Sequence, residues 1–331
     1  MTQTITPQHP ITTPAGSRLK VGLAGVGGIS GAHIPAWESM EETDLAALCD
    51  IRQERLDPYP GKHLYTSLDQ MLEQEDLDIL DICLPTYLHA DTAIQALSKG
   101  IHVLCEKPLS LHGTDVARVY AAAQEHHVHF MVAQVLRFWP EYELAKSLYD
   151  SGKYGRLLAA SMTRLGSYPA WSWDGWMMDE ARSGLVPFDL HIHDLDFLVY
   201  AFGVPKDMQV HRSRRPEQDY LQVVYDYPDF FVTTEASWYA APYPFASAFR
   251  FQFERAILAC EHGECTLYET EGVIRNLTGE ATGDTGSINL PKSDAYANEI
   301  RYFTDCVLEG RFPDKVKPAE LEQVIGLLKR I

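Results

Sequence analysis

From residue 19 to about residue 135 the chain alternates short apolar runs with amphipathic stretches, and this alternation constrains the fold more than any other feature. Leu19–Ala24, Asp44–Cys49, Ile79–Leu84, Ile101–Cys105 and Val128–Val135 read as strands. Between them lie a helical stretch after the glycines at 25–28, then Ser67–Gln74, Tyr87–Lys99 with Gly100 as its C-cap, and Thr114–His126. Strands and helices alternating at this spacing predict a parallel, doubly wound sheet.

The pattern changes after about residue 136. Glu141–Ser151 reads as a helix ended by Gly152, and Asp189–Phe202 as a strong helix stopped by Gly203 and Pro205. Leu221–Tyr225 and Phe249–Phe253 carry the period-two alternation of half-buried strands, with turn signals at Tyr227-Pro228-Asp229 and His262-Gly263. Ala295–Leu308 and Pro318–Ile331 read as closing helices. The expected organisation is therefore α/β. A disordered arm occupies 1–18, a Rossmann-type doubly wound domain 19–136, and an α+β domain with a broad, mostly antiparallel sheet 137–331.

With 331 residues, 46% of them hydrophobic and 22% charged, two globular domains with sizeable cores are the default. The formal net charge of −18 argues against a nucleic-acid partner or an anionic membrane surface. No apolar run reaches the roughly 18 residues that span a bilayer. Met1–Ser17, rich in Thr and Pro, lacks the basic and apolar regions of a signal peptide. The six cysteines form no CxxC pair, and three sit in or at the ends of strands, so a reduced, cytoplasmic chain without structural zinc is expected.

Gly25-Val26-Gly27-Gly28-Ile29-Ser30 lies between the first strand and the first helix, the context in which a Gly-rich turn cradles a pyrophosphate. Gly25 permits the tight turn, Gly27 admits close backbone approach, and Ser30 is small enough for helix–strand packing. Asp50 ends the second strand about 20 residues further on, the placement for a carboxylate on a ribose 2′-OH. Asp50 favours NAD over NADP by repelling a 2′-phosphate, while Arg52 nearby keeps NADP admissible.

Ile101–Cys105 delivers Glu106-Lys107-Pro108 to its carboxyl end, where open parallel sheets bind ligands. A lysine there loses rotamer entropy and hydration, so its placement points away from stability and towards chemistry. In the second domain, Asp189 and His193 stand four apart on the predicted helix and so share a face, with Asp196 continuing it. Such a histidine can take a proton from an alcohol while a carboxylate orients the ring. His191 points away from His193 and reads as packing, not as a metal ligand. Tyr168–Trp176 holds three tryptophans, a wall for the C–H faces of a sugar or an aromatic subunit contact.

Taken together, these segments resemble the Gfo/Idh/MocA family of NAD(P)-dependent sugar and cyclitol oxidoreductases. The match runs through Gly25-x-Gly27-Gly28-Ile29-Ser30-x-x-His33, Leu84-Pro85-Thr86-x-x-His89, Glu106-Lys107-Pro108 and Asp189-x-x-x-His193-Asp194-x-Asp196. Arg137-Phe138 and Tyr154-Gly155-Arg156 also fit. The lead-in to the catalytic helix departs from the family's glycine-rich form, being Ser183-Gly184-Leu185 with Pro187 ahead of Asp189.

The resemblance implies a cofactor site lined by Gly25, Gly27, Gly28, Ile29, Asp50, Arg52, Leu84, Pro85, Thr86, His89, Glu106 and Lys107. It makes Lys107, Asp189 and His193 the catalytic set, with Trp173 and Trp176 beside the substrate and no metal. The expected reaction is hydride transfer between NAD and a secondary alcohol of a polyol, sugar or cyclitol, nearest the inositol 2-dehydrogenase branch. His193 would take the hydroxyl proton and Lys107 would stabilise charge on the oxygen. A homodimer or homotetramer is also implied. Two alternatives stay open: an NADPH-dependent sugar or anhydro-sugar reductase, and a non-catalytic NAD(P)- and sugar-sensing regulator.

Overall fold

The computed structural model describes residues 18–261, 263–278 and 294–331. The amino-terminal arm (1–17) and His262 of the predicted turn lie outside them. Among the described residues no helix is long and apolar enough to cross a membrane.

The first unit is built on six parallel strands: β1 (Leu19–Ala24), β2 (Thr43–Cys49), β3 (His63–Tyr65), β4 (Ile79–Ile82), β5 (His102–Glu106) and β6 (Phe130–Ala133). Their order, β3-β2-β1-β4-β5-β6, reverses direction between β1 and β4, and the crevice at that switch point takes the ligand in such sheets. β4, β5 and β6 are buried at every position, as central strands covered on both faces must be. Ser67 caps the helix Leu68–Gln74 by accepting Gln70 N at 3.4 Å. The helix expected over Tyr87–Lys99 runs over Thr86–Leu97 with Ser98 as its C-cap, and Gly100 takes its φ of 81° in the turn beyond. A short helix at Gln53–Leu56 was not signalled by the sequence. The short β3 adds a strand that the sequence did not signal. Tyr296–Glu322 also groups with this unit, although the sequence placed all of 137–331 in the second domain. Its contacts there include the ring of Tyr296 at 5.8 Å from His33 and Phe312 at 6.4 Å from Tyr120.

The second unit carries an eight-stranded sheet. Its strands are β7 (Leu157–Ser167), β8 (Asp207–Arg215), β9 (Gln218–Asp226), β10 (Phe231–Tyr239), β11 (Ala246–Phe253), β12 (Ala256–Glu261), β13 (Glu264–Glu269) and β14 (Ile274–Asn276). The order is β14-β13-β12-β11-β7-β10-β9-β8, antiparallel throughout except for the parallel pair β7–β10. The helices Pro140–Ser151 and Ile192–Phe202 cover one face, where Tyr142, Phe197, Phe249 and Phe251 pack with ring centroids 4.6–6.2 Å apart.

The cysteine expectation needs one correction. Cys260 and Cys265 stand directly opposite on β12 and β13 and are joined by a disulfide. Hairpin register brings them together, which a search for CxxC spacing does not detect. Cys49, Cys83, Cys105 and Cys306 are free and buried, as small apolar residues.

Candidate active site

At the end of β1 the chain turns through Gly25 with φ 97°. A Cβ there would lie 2.5 Å from the Cys83 carbonyl oxygen and 2.9 Å from Leu84 N, so only glycine allows the turn to pass the end of β4. A Cβ on Gly27 would meet nothing within 4 Å, leaving its backbone open to a ligand. Ser30 Oγ donates to Gly27 O at 2.8 Å and ties the loop to the helix Ser30–Glu38. These residues fit a dinucleotide pyrophosphate: a forced turn, an open backbone and a helix amino terminus that supplies N–H groups.

Asp50 is 6% exposed and closes the loop from the neighbouring strand, accepting Val26 N at 3.0 Å. Arg52 donates to the same carboxylate from its backbone N at 2.9 Å, from Nε at 3.0 Å and from Nη2 at 3.1 Å. The two residues singled out for cofactor selection are thus one ion pair.

The segment after β4 is equally ordered. Pro85 precedes the helix Thr86–Leu97, and Thr86 and His89 are buried on its first turn. His89 bridges two loops, with Nδ1 2.7 Å from Pro108 O and Nε2 2.6 Å from Leu84 O. Burial lowers the imidazole pKa, and the two carbonyl acceptors oppose that shift. Glu106 turns inward: its Oε1 lies 3.1 Å from His33 Nε2 and its Oε2 accepts Lys107 N at 3.0 Å. Sequence reasoning placed both His89 and Glu106 in the cofactor lining, and the structure adds that each fixes the strand-end loop carrying Lys107. The Lys107–Pro108 peptide is cis.

In the second unit the segment carrying Asp189 and His193 is not one α-helix beginning near Asp189. A π-turn spans Pro187–His191 and the α-helix follows over Ile192–Phe202. Pro187 stands at the first position of this turn, where its missing N–H removes no ladder bond, and such wide turns recur at functional sites. Asp189 sits in the π-turn and His193 in the first α turn, both half-buried.

The neighbouring carboxylates of this helix, Asp196 and Asp194, are each committed to a buried arginine. Asp196 accepts Arg137 Nε at 2.8 Å and Nη2 at 2.7 Å, fully buried. Asp194 accepts Arg164 Nη2 at 2.9 Å; burial raises its carboxyl pKa and the guanidinium opposes the rise. His191 packs as expected, with Nε2 2.7 Å from Tyr225 OH, and burial drives it down to about 3. Trp173 and Trp176 lie in the 3-10 segment Trp173–Met178, where Asp174 and Gly175 take positive φ. Arg182 holds that segment through Asp174 at 2.8 Å and Asp179 at 3.0 Å, contacts the sequence did not signal.

Two family models match the chain. One, described as "Oxidoreductase family, NAD-binding Rossmann fold", covers residues 19–134. The other, "GFO/IDH/MocA C-terminal domain", covers 142–275. A 2,7-anhydro-N-acetylneuraminate hydratase from Mediterraneibacter gnavus is 31% identical over 192 residues, 55% of this chain and 50% of the relative. A myo-inositol 2-dehydrogenase from Thermotoga maritima is 26% identical over 190 residues, 56% of this chain and 55% of the relative. The chain therefore spans about half the length of the curated relatives it matches. Among solved structures, a levoglucosan dehydrogenase in complex with NADH and levoglucosan superposes with a TM-score of 0.81 at 20% identity, over 95% of this chain and 96% of that one. At that identity the likeness shows the fold alone.

Proposed function

The chain belongs to the GFO/IDH/MocA oxidoreductase family and carries its NAD-binding Rossmann domain, and on that premise we propose that it is an NAD-dependent dehydrogenase of a sugar or cyclitol. The observation that carries this reading is Lys107 at the carboxyl end of β5, in the same sheet whose β1 turn is shaped for a pyrophosphate. NAD, when bound, accepts the hydride from the alcohol carbon.

Lys107 polarises the reacting oxygen and stabilises negative charge on it. His193 takes the hydroxyl proton, and Asp189 orients the imidazole and favours its protonated form. Gly25, Gly27, Gly28 and Ile29 receive the pyrophosphate, and Asp50 the ribose. Leu84, Pro85, Thr86 and His89 shape the strand ends beneath the nicotinamide. Trp173 and Trp176 offer apolar faces to the substrate ring.

The inositol-like branch is the finer part of the proposal, supported by the Lys107, Asp189 and His193 set and by the myo-inositol 2-dehydrogenase relative. A homodimer or homotetramer acting in the cytoplasm completes it. The Arg52–Asp50 pair favours one second reading, use of NADP, since Arg52 would meet a 2′-phosphate if it released Asp50.

The test is NADH or NADPH formation across a panel of inositols, aldoses, anhydro-sugars and sugar acids. Turnover of a cyclic polyol with NAD is expected. Binding of NADH without turnover of any panel member would instead support a sensing protein.

A further inference from the structure

We propose that Asp81, His33 and Glu106 form a buried relay that positions the Lys107 main chain at the end of β5. The proposal rests on the reading of Lys107 as the group that acts on the reacting oxygen. The three residues come from β4, from the helix Ser30–Glu38 and from β5, and all are buried. His33 Nδ1 lies 2.8 Å from Asp81 Oδ2, and His33 Nε2 lies 3.1 Å from Glu106 Oε1. Trp37 Nε1 donates to Asp81 Oδ2 at 2.7 Å, and Glu106 Oε2 accepts Lys107 N at 3.0 Å. An unbroken line of polar contacts thus runs from Trp37 to the lysine's own amide.

Both ring nitrogens of His33 face carboxylate oxygens. A neutral imidazole has one donor and one acceptor, so an imidazolium is the form that satisfies both contacts. Burial alone would lower the pKa of this ring, but the charge and hydrogen bond of Asp81, with Cys83 nearby, hold it well above the ordinary range. Ligand atoms of His33, Asp81 and Cys83 also lie within 4.8 Å of one another, as a metal site would require. Asp81 Oδ2, however, already meets both the Trp37 N–H and His33 Nδ1, which favours the relay.

Stability alone does not account for this cluster. Each buried ion carries a desolvation penalty, and well-packed apolar residues of similar volume often stabilise a fold equally well. What an apolar replacement cannot do is hold the Glu106 carboxylate on the amide of the next residue. His33 and Asp81 are therefore positioning residues, acting on chemistry only through Glu106 and Lys107.

The test uses the full chain labelled with [15N]histidine. Both ring nitrogens of His33 are expected to be protonated at pH 7.5, the resonances being assigned by their loss in His33→Gln. A neutral tautomer would overturn the relay. Turnover is then measured with whichever panel compound reacts fastest. His33→Gln is expected to lower kcat by about 10-fold or more, in the range seen when an outer partner of a ligating side chain is removed, with NADH affinity within about 3-fold of wild type. In a Lys107→Ala background the same change should cost less than about 2-fold, because residues acting through one group are not additive. An equal loss in both backgrounds would overturn the proposal. If His33→Gln does not fold, Asp81→Asn takes its place in the same comparison. Wild-type turnover in Lys107→Ala alone would instead remove the reading of Lys107, leaving the protonation state of His33 to be judged by its spectrum.

Discussion

Arg137 and Asp196 meet in a two-bond ion pair, Nε at 2.8 Å and Nη2 at 2.7 Å, with both side chains essentially unexposed. The guanidinium also stacks 4.7 Å over the Tyr200 ring. Removing one partner strands the other charge without water. Arg137→Met is therefore expected to destabilise the chain by about 3–5 kcal/mol, read as a fall in the urea unfolding midpoint. A loss below about 1 kcal/mol would mean that the pair contributes little beyond packing.

Gly25→Ala and Gly27→Ala should separate folding from cofactor binding. The first drives a Cβ to 2.5 Å from the Cys83 carbonyl at a φ of 97°, so a loss of at least about 2 kcal/mol in stability is expected. The second meets no atom within 4 Å and should leave stability within about 0.5 kcal/mol. NADH affinity, followed by fluorescence, should nevertheless fall by about 10-fold or more, since the methyl group stands where the pyrophosphate would approach. Unchanged NADH binding by Gly27→Ala would contradict the cradle.

Asp50→Ala removes the acceptor of Val26 N and the partner of Arg52 together. The ratio of NAD to NADP affinity should fall by about 10-fold or more, because a ribose acceptor is lost and a guanidinium is released. Titration with both cofactors decides the matter, and an unaltered ratio would show that the pair does not select the cofactor.

Three buried histidines should make the fold acid-labile. Burial drives His102 and His191 down to about 3 and His129 to about 4, and His129 also faces the charge of Arg311. A histidine whose pKa is depressed by folding binds its proton first in the unfolded chain. Its contribution is therefore complete above the unfolded value near 6.5 and is lost as pH falls towards the folded value. Unfolding free energy should drop by on the order of 1 kcal/mol per histidine for each pH unit below about 6.5. Urea titrations at pH 7.5, 6 and 5 test this, and His102→Gln should flatten part of the slope. His33 works in the opposite sense: its raised pKa contributes fully below the unfolded value near 6.5 and is lost as pH rises from there through the folded value.

Much of this arrangement was legible in the sequence because it depends on local chemistry. The strands β1, β2, β4 and β5 are short apolar runs, and their ends agree with the expected ones to within two residues. The Gly25 turn and Asp50 were readable from spacing alone, since the loop and its closing carboxylate are one strand apart. β3 escaped because three residues show no period. β7 escaped because its buried positions include Arg164 and Gly166 as well as Ala160 and Met162, and the arginine is paid for by Asp194, 30 residues away. The π-turn at Pro187 escaped because a proline near a helix start ordinarily reads as a first-turn residue. The His33–Asp81–Glu106 cluster was invisible for a related reason. Its members are 48 and 73 positions apart, and only the parallel strand order brings them together.

The role of Lys107 in turnover is the central claim, and one comparison addresses it directly. Lys107→Ala is assayed beside the wild type for NADH formation with the panel compound that reacts fastest, and for NADH affinity by fluorescence. The account predicts a fall in kcat of roughly 1,000-fold, the scale of losing a donor to developing oxyanion charge, with NADH affinity held within about 3-fold. Turnover within about 2-fold of wild type would contradict it.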